Sequence, residues 1–232
     1  MVVRSRTAAS TPSLLWKCQQ PPWVEQTFTV NAQEDQLYVS HSGDLPLATF
    51  PTDIPRLTDP ALADSLVSSG KLRDSTGQIV GIATQVEDVL PDTDLAAGRL
   101  HSKSVWTLFL PARGAITVEQ VKRNDKATGT VFKQALKTGT PWVGDLTARM
   151  TDDHSGAIVG GSQEFAGIKG SAVEVDQFRR FDPQSGELTV RTELRLRYRI
   201  STAASTPARG PLDGAETLRP DPGRGHRHHS QR

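Results

Sequence analysis

Along residues 191–200 the chain alternates without a break. Arg191, Glu193, Arg195, Arg197 and Arg199 fall on one parity, and Thr192, Leu194, Leu196, Tyr198 and Ile200 on the other. Successive side chains of a strand point to opposite faces, so this stretch reads as a strand with one wet face and one buried face. The arginine row reads as the solvated outside. A strand buried on one face needs sheet partners, and the upstream chain supplies them.

Residues 78–88 place Val80, Ile82, Thr84 and Val86 on one side. Residues 104–110 and 115–121 are joined by Pro111-Ala112-Arg113-Gly114, which predicts a hairpin. Ile116, Val118 and Gln120 share a face of the second arm. Residues 171–178 group Val173, Val175 and Gln177, and the turn residues 181–186 lead into the last strand. Further strands are expected over 128–136 and 142–150. A short helix is expected over 60–69, with Asp59 as its cap and Pro60 at its first position. Short links between antiparallel neighbours favour a meander that closes on itself. The expected fold is therefore all-β: a small closed antiparallel barrel of about eight strands.

The patterned region, 36–200, is long enough to bury a core as one domain. Residues 1–35 read as an N-terminal extension, docked in part through Trp16 and Trp23, because two indoles in water waste a large apolar area. Residues 201–232 are rich in Ser, Thr, Ala, Pro, Gly and Arg and read as a disordered tail. Its His226, His228 and His229 lack the fixed geometry of a metal site, so no metal is expected. Lys plus Arg is 27 and Asp plus Glu is 26, which gives no electrostatic case for a nucleic-acid or membrane partner. The single cysteine, Cys18, fits a reducing compartment, and no apolar run approaches a signal peptide or a membrane span. A cytoplasmic protein is expected.

There is no nucleophile elbow, phosphate loop or zinc-ligand pairing. The glycines at 156, 160, 161, 167 and 170 do not precede a helix, so they are not a dinucleotide fingerprint. Residues 157–170 resemble instead the segment I-x-G-G-[TS]-G-x-[FY]-x-G-[AV]-x-G of allene oxide cyclase-like and dirigent-like β-barrels. Gly160, Gly161, Ser162, Phe165, Gly167 and Gly170 match, while Gln163 and Ile168 depart from the commonest residues. Residues 77–81 resemble that family's early strand. Pro111, Gly114, Ile116 and Val118 sit in place for its hairpin.

The resemblance implies an eight-stranded barrel with an apolar lumen, often in a dimer or trimer. In plants such barrels cyclise an allene oxide or steer phenoxy-radical coupling. Bacterial members of the polyketide branch close spirotetronate or spirotetramate rings by intramolecular [4+2] cycloaddition. On this reading the chain is a cofactor-independent cyclase of Diels–Alderase type for a small apolar polyketide-like substrate, working as a homo-oligomer. The alternative is a lipocalin-like or dirigent-like barrel that binds or orients a ligand without converting it.

Such a reaction asks for a shaped cavity and a hydrogen-bond donor rather than a catalytic triad. By alternation the lumen candidates are Thr84, Trp106, Gln120, Val175, Gln177, Leu196 and Tyr198. Tyr198 is the candidate catalytic residue, its hydroxyl donating to a substrate carbonyl. Trp106 is a candidate wall, and Trp142 is placed at the mouth. Glu119 and Glu174 fall on the opposite parity and are assigned outside. His41, His101 and His154 stand alone in sequence.

Overall fold

The computed structural model describes residues 21–43, 45–123, 125–152 and 155–201. Trp16, Cys18, His154 and the histidine-bearing tail lie outside the described residues. Ten strands form one antiparallel sheet: β1 (Val24–Asn31), β2 (Gln36–His41), β3 (Ser65–Asp74), β4 (Ile79–Val89), β5 (His101–Leu110), β6 (Gly114–Arg123), β7 (Trp142–Arg149), β8 (Ala157–Gly161), β9 (Ile168–Phe181) and β10 (Leu188–Ile200). The sheet closes because β1 pairs with β10 over its whole length and meets β3 at Phe28↔Asp74 and Thr29↔Arg73.

The ring therefore runs β1-β3-β4-β5-β6-β8-β9-β10, eight staves as expected. Two staves are made in two pieces. β2 follows β1 along the same edge of β3, at Leu66–Gly70, and β7 follows β8 along the same edge of β9. Closure removes the unpaired edges that an open sheet would carry.

The expected boundary at residue 36 moves. Residues 24–31, assigned to an extension, form the closing stave. Trp23 stays 47% exposed, with its ring under the guanidinium groups of Arg197 and Arg199, Cζ 4.8 and 5.0 Å from the centroid. The expected helix over 60–69 shrinks to a single 3₁₀ turn, Pro60–Leu62. Its predicted cap is present, with Ala61 N donating to Asp59 Oδ1 at 2.8 Å. Its second half is the strand β3.

The expected strand over 128–136 is helical: α1 (Asp125–Thr128), a π-helical turn (Gly129–Lys133) and α2 (Gln134–Thr138). The segment carries the β-branched residues Thr128, Thr130 and Val131. What decides is that Ala127, Val131 and Ala135 recur every four residues and, with Phe132, are all buried.

Two apolar clusters divide the interior. One plugs an end of the barrel and holds Phe28, Leu72, Leu108, Leu110, Ile116, Phe165, Ile168, Leu196 and Tyr198. The other lies under the helical segment, where Phe132 packs against Phe178 and Phe181, their centroids 6.3 and 4.6 Å from its own. The glycine segment belongs to the plug. A Cβ on Gly170 would run into the Arg197 carbonyl and the Tyr198 backbone, and Gly167 takes a φ of 75°.

The interior parity of β4 and β9 is the reverse of the expected one. On β4, Ile82 and Val86 are 43% and 44% exposed and lie beside Phe109 and Val105 of β5 on the outer face. Gly81, Ala83, Gln85 and Glu87 point inward. On β9, Val173, Val175 and Gln177 are only half-buried, and Ala172, Glu174 and Asp176 are inside. No helix among the described residues is long and apolar enough to cross a membrane.

Candidate functional site

Between the plug and the helical segment the lumen is open. A cavity of about 480 Å³ is lined by Val30, Val39, Leu47, Phe50, Leu66, Trp106 and Val190, among others. A chamber of about 150 Å³ continues it beneath Phe132, Met150 and Phe178. The two share Leu47, Leu66, Gln85, Leu188, Val190 and Thr192. The mouth is shaped by the segment after β2, where Phe50 pairs with Val39 and Ala48 N donates to Gly186 O at 2.9 Å.

A layer of polar side chains lies between the plug and the cluster under the helical segment. The register brings it together, because Glu87, Ser104 and Gln120 are consecutive cross-strand neighbours on β4, β5 and β6. On β9 and β10, Asp176 faces Thr192. At its centre the Glu174 carboxylate accepts three N–H groups. Lys122 Nζ reaches Oε1 at 2.7 Å, Trp106 Nε1 reaches Oε2 at 2.8 Å, and Gln120 Nε2 also bonds Oε2. Lys122 Nζ also meets Glu87 Oε2 at 2.9 Å, and Gln85 Nε2 donates to the same oxygen at 2.8 Å. Thr151 locks the group from the side, donating to Gln120 Oε1 at 2.7 Å and accepting from Glu174 N at 2.6 Å.

Burial alone would drive the proton off Lys122, but the Glu174 and Glu87 carboxylates reverse this and hold it well above the ordinary lysine range. Asp176 goes the other way. Burial pushes its carboxyl up, the Glu174 charge adds to the rise, and Lys122 and a hydrogen bond with Thr192 offset it only in part, so it titrates at about 8. One of its oxygens, Oδ1, is buried and has no hydrogen-bond partner among the described residues, and the same holds for the Ser102 and Ser104 hydroxyls. Among the described residues, no group of three or more His, Cys, Asp or Glu side chains is placed to hold a metal ion.

Of the residues singled out by sequence, Trp106 and Gln120 meet here on Glu174. Leu196 and Tyr198 are buried in the plug, where the Tyr198 hydroxyl donates to Gln26 Oε1 at 3.0 Å. Thr84 and Gln177 are on the outer face: Thr84 Oγ1 is 3.5 Å from Ser69 Oγ, and Gln177 Nε2 donates to Asp145. Val175 shares that face. Trp142 packs against the cluster under the helical segment. Glu119 is exposed, as expected, whereas Glu174 is the most enclosed carboxylate of the lumen.

His41 is buried between the Ser42 and Leu47 carbonyls, and His101 is held by Asp92 at 2.7 Å and Asp125 at 3.0 Å. The missed residues are Lys122, Glu87, Gln85 and Asp176. The signal for them was on β6: if Ile116, Val118 and Gln120 face inward, so does Lys122, and a buried ammonium demands carboxylates.

No family model matches the chain, and no curated protein does either. Solved structures of similar fold include a pterocarpan synthase dirigent protein, at 13% identity and a TM-score of 0.42, covering 85% of this chain and 100% of that one. A heme-binding cyclase that catalyses [4 + 2] cycloaddition during neoabyssomicin biosynthesis is 14% identical, with a TM-score of 0.36 and coverage of 79% and 70%. The Diels Alderase AbmU from Streptomyces koyangensis is 14% identical, with a TM-score of 0.34 and coverage of 81% and 74%.

Proposed function

We propose that this protein is a cofactor-independent cyclase of polyketide natural-product biosynthesis. It folds a linear polyene in the barrel lumen for intramolecular [4+2] cycloaddition, as a homo-oligomer in the cytoplasm. The observation that carries the reading is the polarity of the interior: a mostly apolar cavity whose inner chamber meets one fixed cluster of polar side chains. A polyene that enters past Phe50 has Leu66, Trp106 and Val190 to fold against. Ordering the chain so that diene and dienophile meet removes much of the entropic barrier. A donor in the polar layer facing the dienophile carbonyl would lower the remainder.

A second reading is a barrel that binds or orients such a ligand without converting it. The self-sufficiency of the Lys122–Glu174–Glu87 cluster favours it, since most of its donors and acceptors are already paired internally. Incubation with a linear polyene that carries a diene and a carbonyl-activated dienophile separates the two. Recovery of a product of equal mass with a new ring, seen by mass spectrometry and NMR, supports the cyclase. Bound ligand returned unchanged supports the carrier, and absence of binding overturns both. Sedimentation of the purified protein reads the oligomer.

A further inference from the structure

The polar layer is nearly closed on itself, and its exceptions define what it can still bind. Glu174 accepts from Lys122, Trp106 and Gln120, and Glu87 accepts from Lys122 and Gln85. Asp176 differs. It lines the inner chamber, is 7% exposed as a residue, and its buried Oδ1 has no hydrogen-bond partner among the described residues. The charged groups around it are Lys122 from β6, Glu87 from β4 and Glu174 on its own strand. Thr192 of β10 bonds it, and β7 presents only Ala148 opposite it.

One ammonium already serves two carboxylates, so a third negative charge in the same low-dielectric space is unfavourable. Asp176 is therefore an uncharged acid near neutral pH. It has a proton to donate and lies beside an apolar chamber.

We propose that Asp176 is the recognition group of the lumen: its carboxylic acid donates a hydrogen bond to a neutral carbonyl oxygen of the ligand, and ligands whose polar end is an anion are rejected. The inference rests on the lumen being a site for an apolar ligand and specifies its head group as a ketone, ester, lactone or amide. An anionic head would bring a further negative charge against Glu174 and Glu87, whose shared cation, Lys122, is already engaged. A cationic head would have to shed its water into an apolar chamber to meet one free oxygen. Donation needs the proton, so recognition fades as Asp176 ionises above about 8.

The test uses the fluorescent polyene cis-parinaric acid and its methyl ester, which share a chain and differ in head group. The acid is ionised and the ester neutral throughout the working range, so any pH dependence belongs to the protein. At about pH 7 the ester is expected to bind at least about ten-fold more tightly than the acid, and to lose about ten-fold in affinity by about pH 9.5. Asp176→Asn keeps an N–H donor and has no proton to lose, so its ester affinity should be flat over that range.

Equal binding of acid and ester, a flat ester profile in the wild type, or a slope that persists in Asp176→Asn would each overturn the assignment while leaving the lumen as a ligand site. Binding of neither probe would overturn the ligand-site reading itself. The wild-type pair decides the matter even if the variant does not fold.

Discussion

Two buried aspartates of this barrel have opposite fates. Asp35, in the turn between β1 and β2, is fully enclosed and fully paired. Arg73 donates to it through Nε at 2.9 Å and Nη2 at 2.7 Å, and Asn31 through its backbone N at 3.1 Å and its Nδ2 at 2.9 Å. Burial works to raise its pKa, but the Arg73 and Asn31 donors prevail and hold it below the usual carboxylate range. Asp176 is buried to a similar degree, shares one ammonium with two other carboxylates, and is pushed up to about 8. Burial alone therefore does not set the state of a carboxyl. The donors supplied to it do. Asp35 rivets the closing stave to β3; Asp176 lines a chamber and holds a buried oxygen with no partner among the described residues.

The strongest way to break the contrast is to remove the cation that the lumen carboxylates share. Lys122→Met leaves Glu174 and Glu87 buried against each other without an ammonium, and is expected to cost about 3–5 kcal/mol in urea unfolding. Adding Glu174→Gln to that background should recover part of the loss, because one stranded charge is gone. A loss below about 1 kcal/mol for the single variant would mean that the layer is wet and the cluster weakly coupled.

The next effect is the pH dependence of stability, and the two aspartates should pull in opposite directions. Asp35 has a lowered folded pKa, so its contribution is present above the unfolded value of 3.8 and lost as pH falls through the folded one. Asp176 has a raised folded pKa, so its contribution is present below 3.8 and lost as pH rises towards about 8. Asp176→Asn should therefore raise the melting temperature near about pH 8–9, by the equivalent of roughly 1–3 kcal/mol, and change it little near about pH 4. Asp35→Asn should lower it at neutral pH and flatten its fall in acid. Parallel pH profiles for the two variants would refute the assigned states.

The same contrast explains what the sequence disclosed. β10 was legible because its arginine row could only be outside, and that fixed Leu194, Leu196 and Tyr198 inside. The barrel class and the hairpin between β5 and β6 followed from the same alternation and from turn residues. On β4 and β9 the alternation was read correctly but the wrong parity was turned inward. The rule that apolar residues go inside assumes an apolar interior. Here the middle of the lumen is polar and largely paired across strands, so Ile82 and Val86 sit outside while Gln85 and Glu87 sit within.

That satisfaction comes from pairs far apart in the chain, such as Lys122 with Glu87 and Trp106 with Glu174. Parity within a single strand carries no trace of them. β1 was assigned to the extension although Val24, Gln26, Phe28 and Val30 alternate without a bulge, whereas β2, β3 and β8 are interrupted by register shifts in their pairings. The helical segment was read as a strand although Ala127, Val131 and Ala135 recur every four residues.

The smallest predicted effect separates the two aromatic residues that sequence placed in the lumen. Tyr198 packs edge-on against Phe165, with centroids 6.4 Å apart, inside the plug. Trp106 lines the larger cavity and donates to Glu174. Tyr198→Phe deletes one hydroxyl bonded to the half-buried Gln26, so it should cost about 0.5–1.5 kcal/mol of stability and leave methyl parinarate affinity unchanged. Trp106→Phe keeps an aromatic ring but is the larger change. It removes an N–H from the polar layer and a ring edge from the cavity wall, and should weaken ester binding by several-fold, about 1 kcal/mol. If Tyr198→Phe instead abolished turnover of a linear polyene while the protein stayed folded, the donor would lie in the plug, and Asp176 would lose its role. If only Trp106→Phe moved the affinity, the working end of the lumen would be the polar layer, and the plug would serve as its foundation.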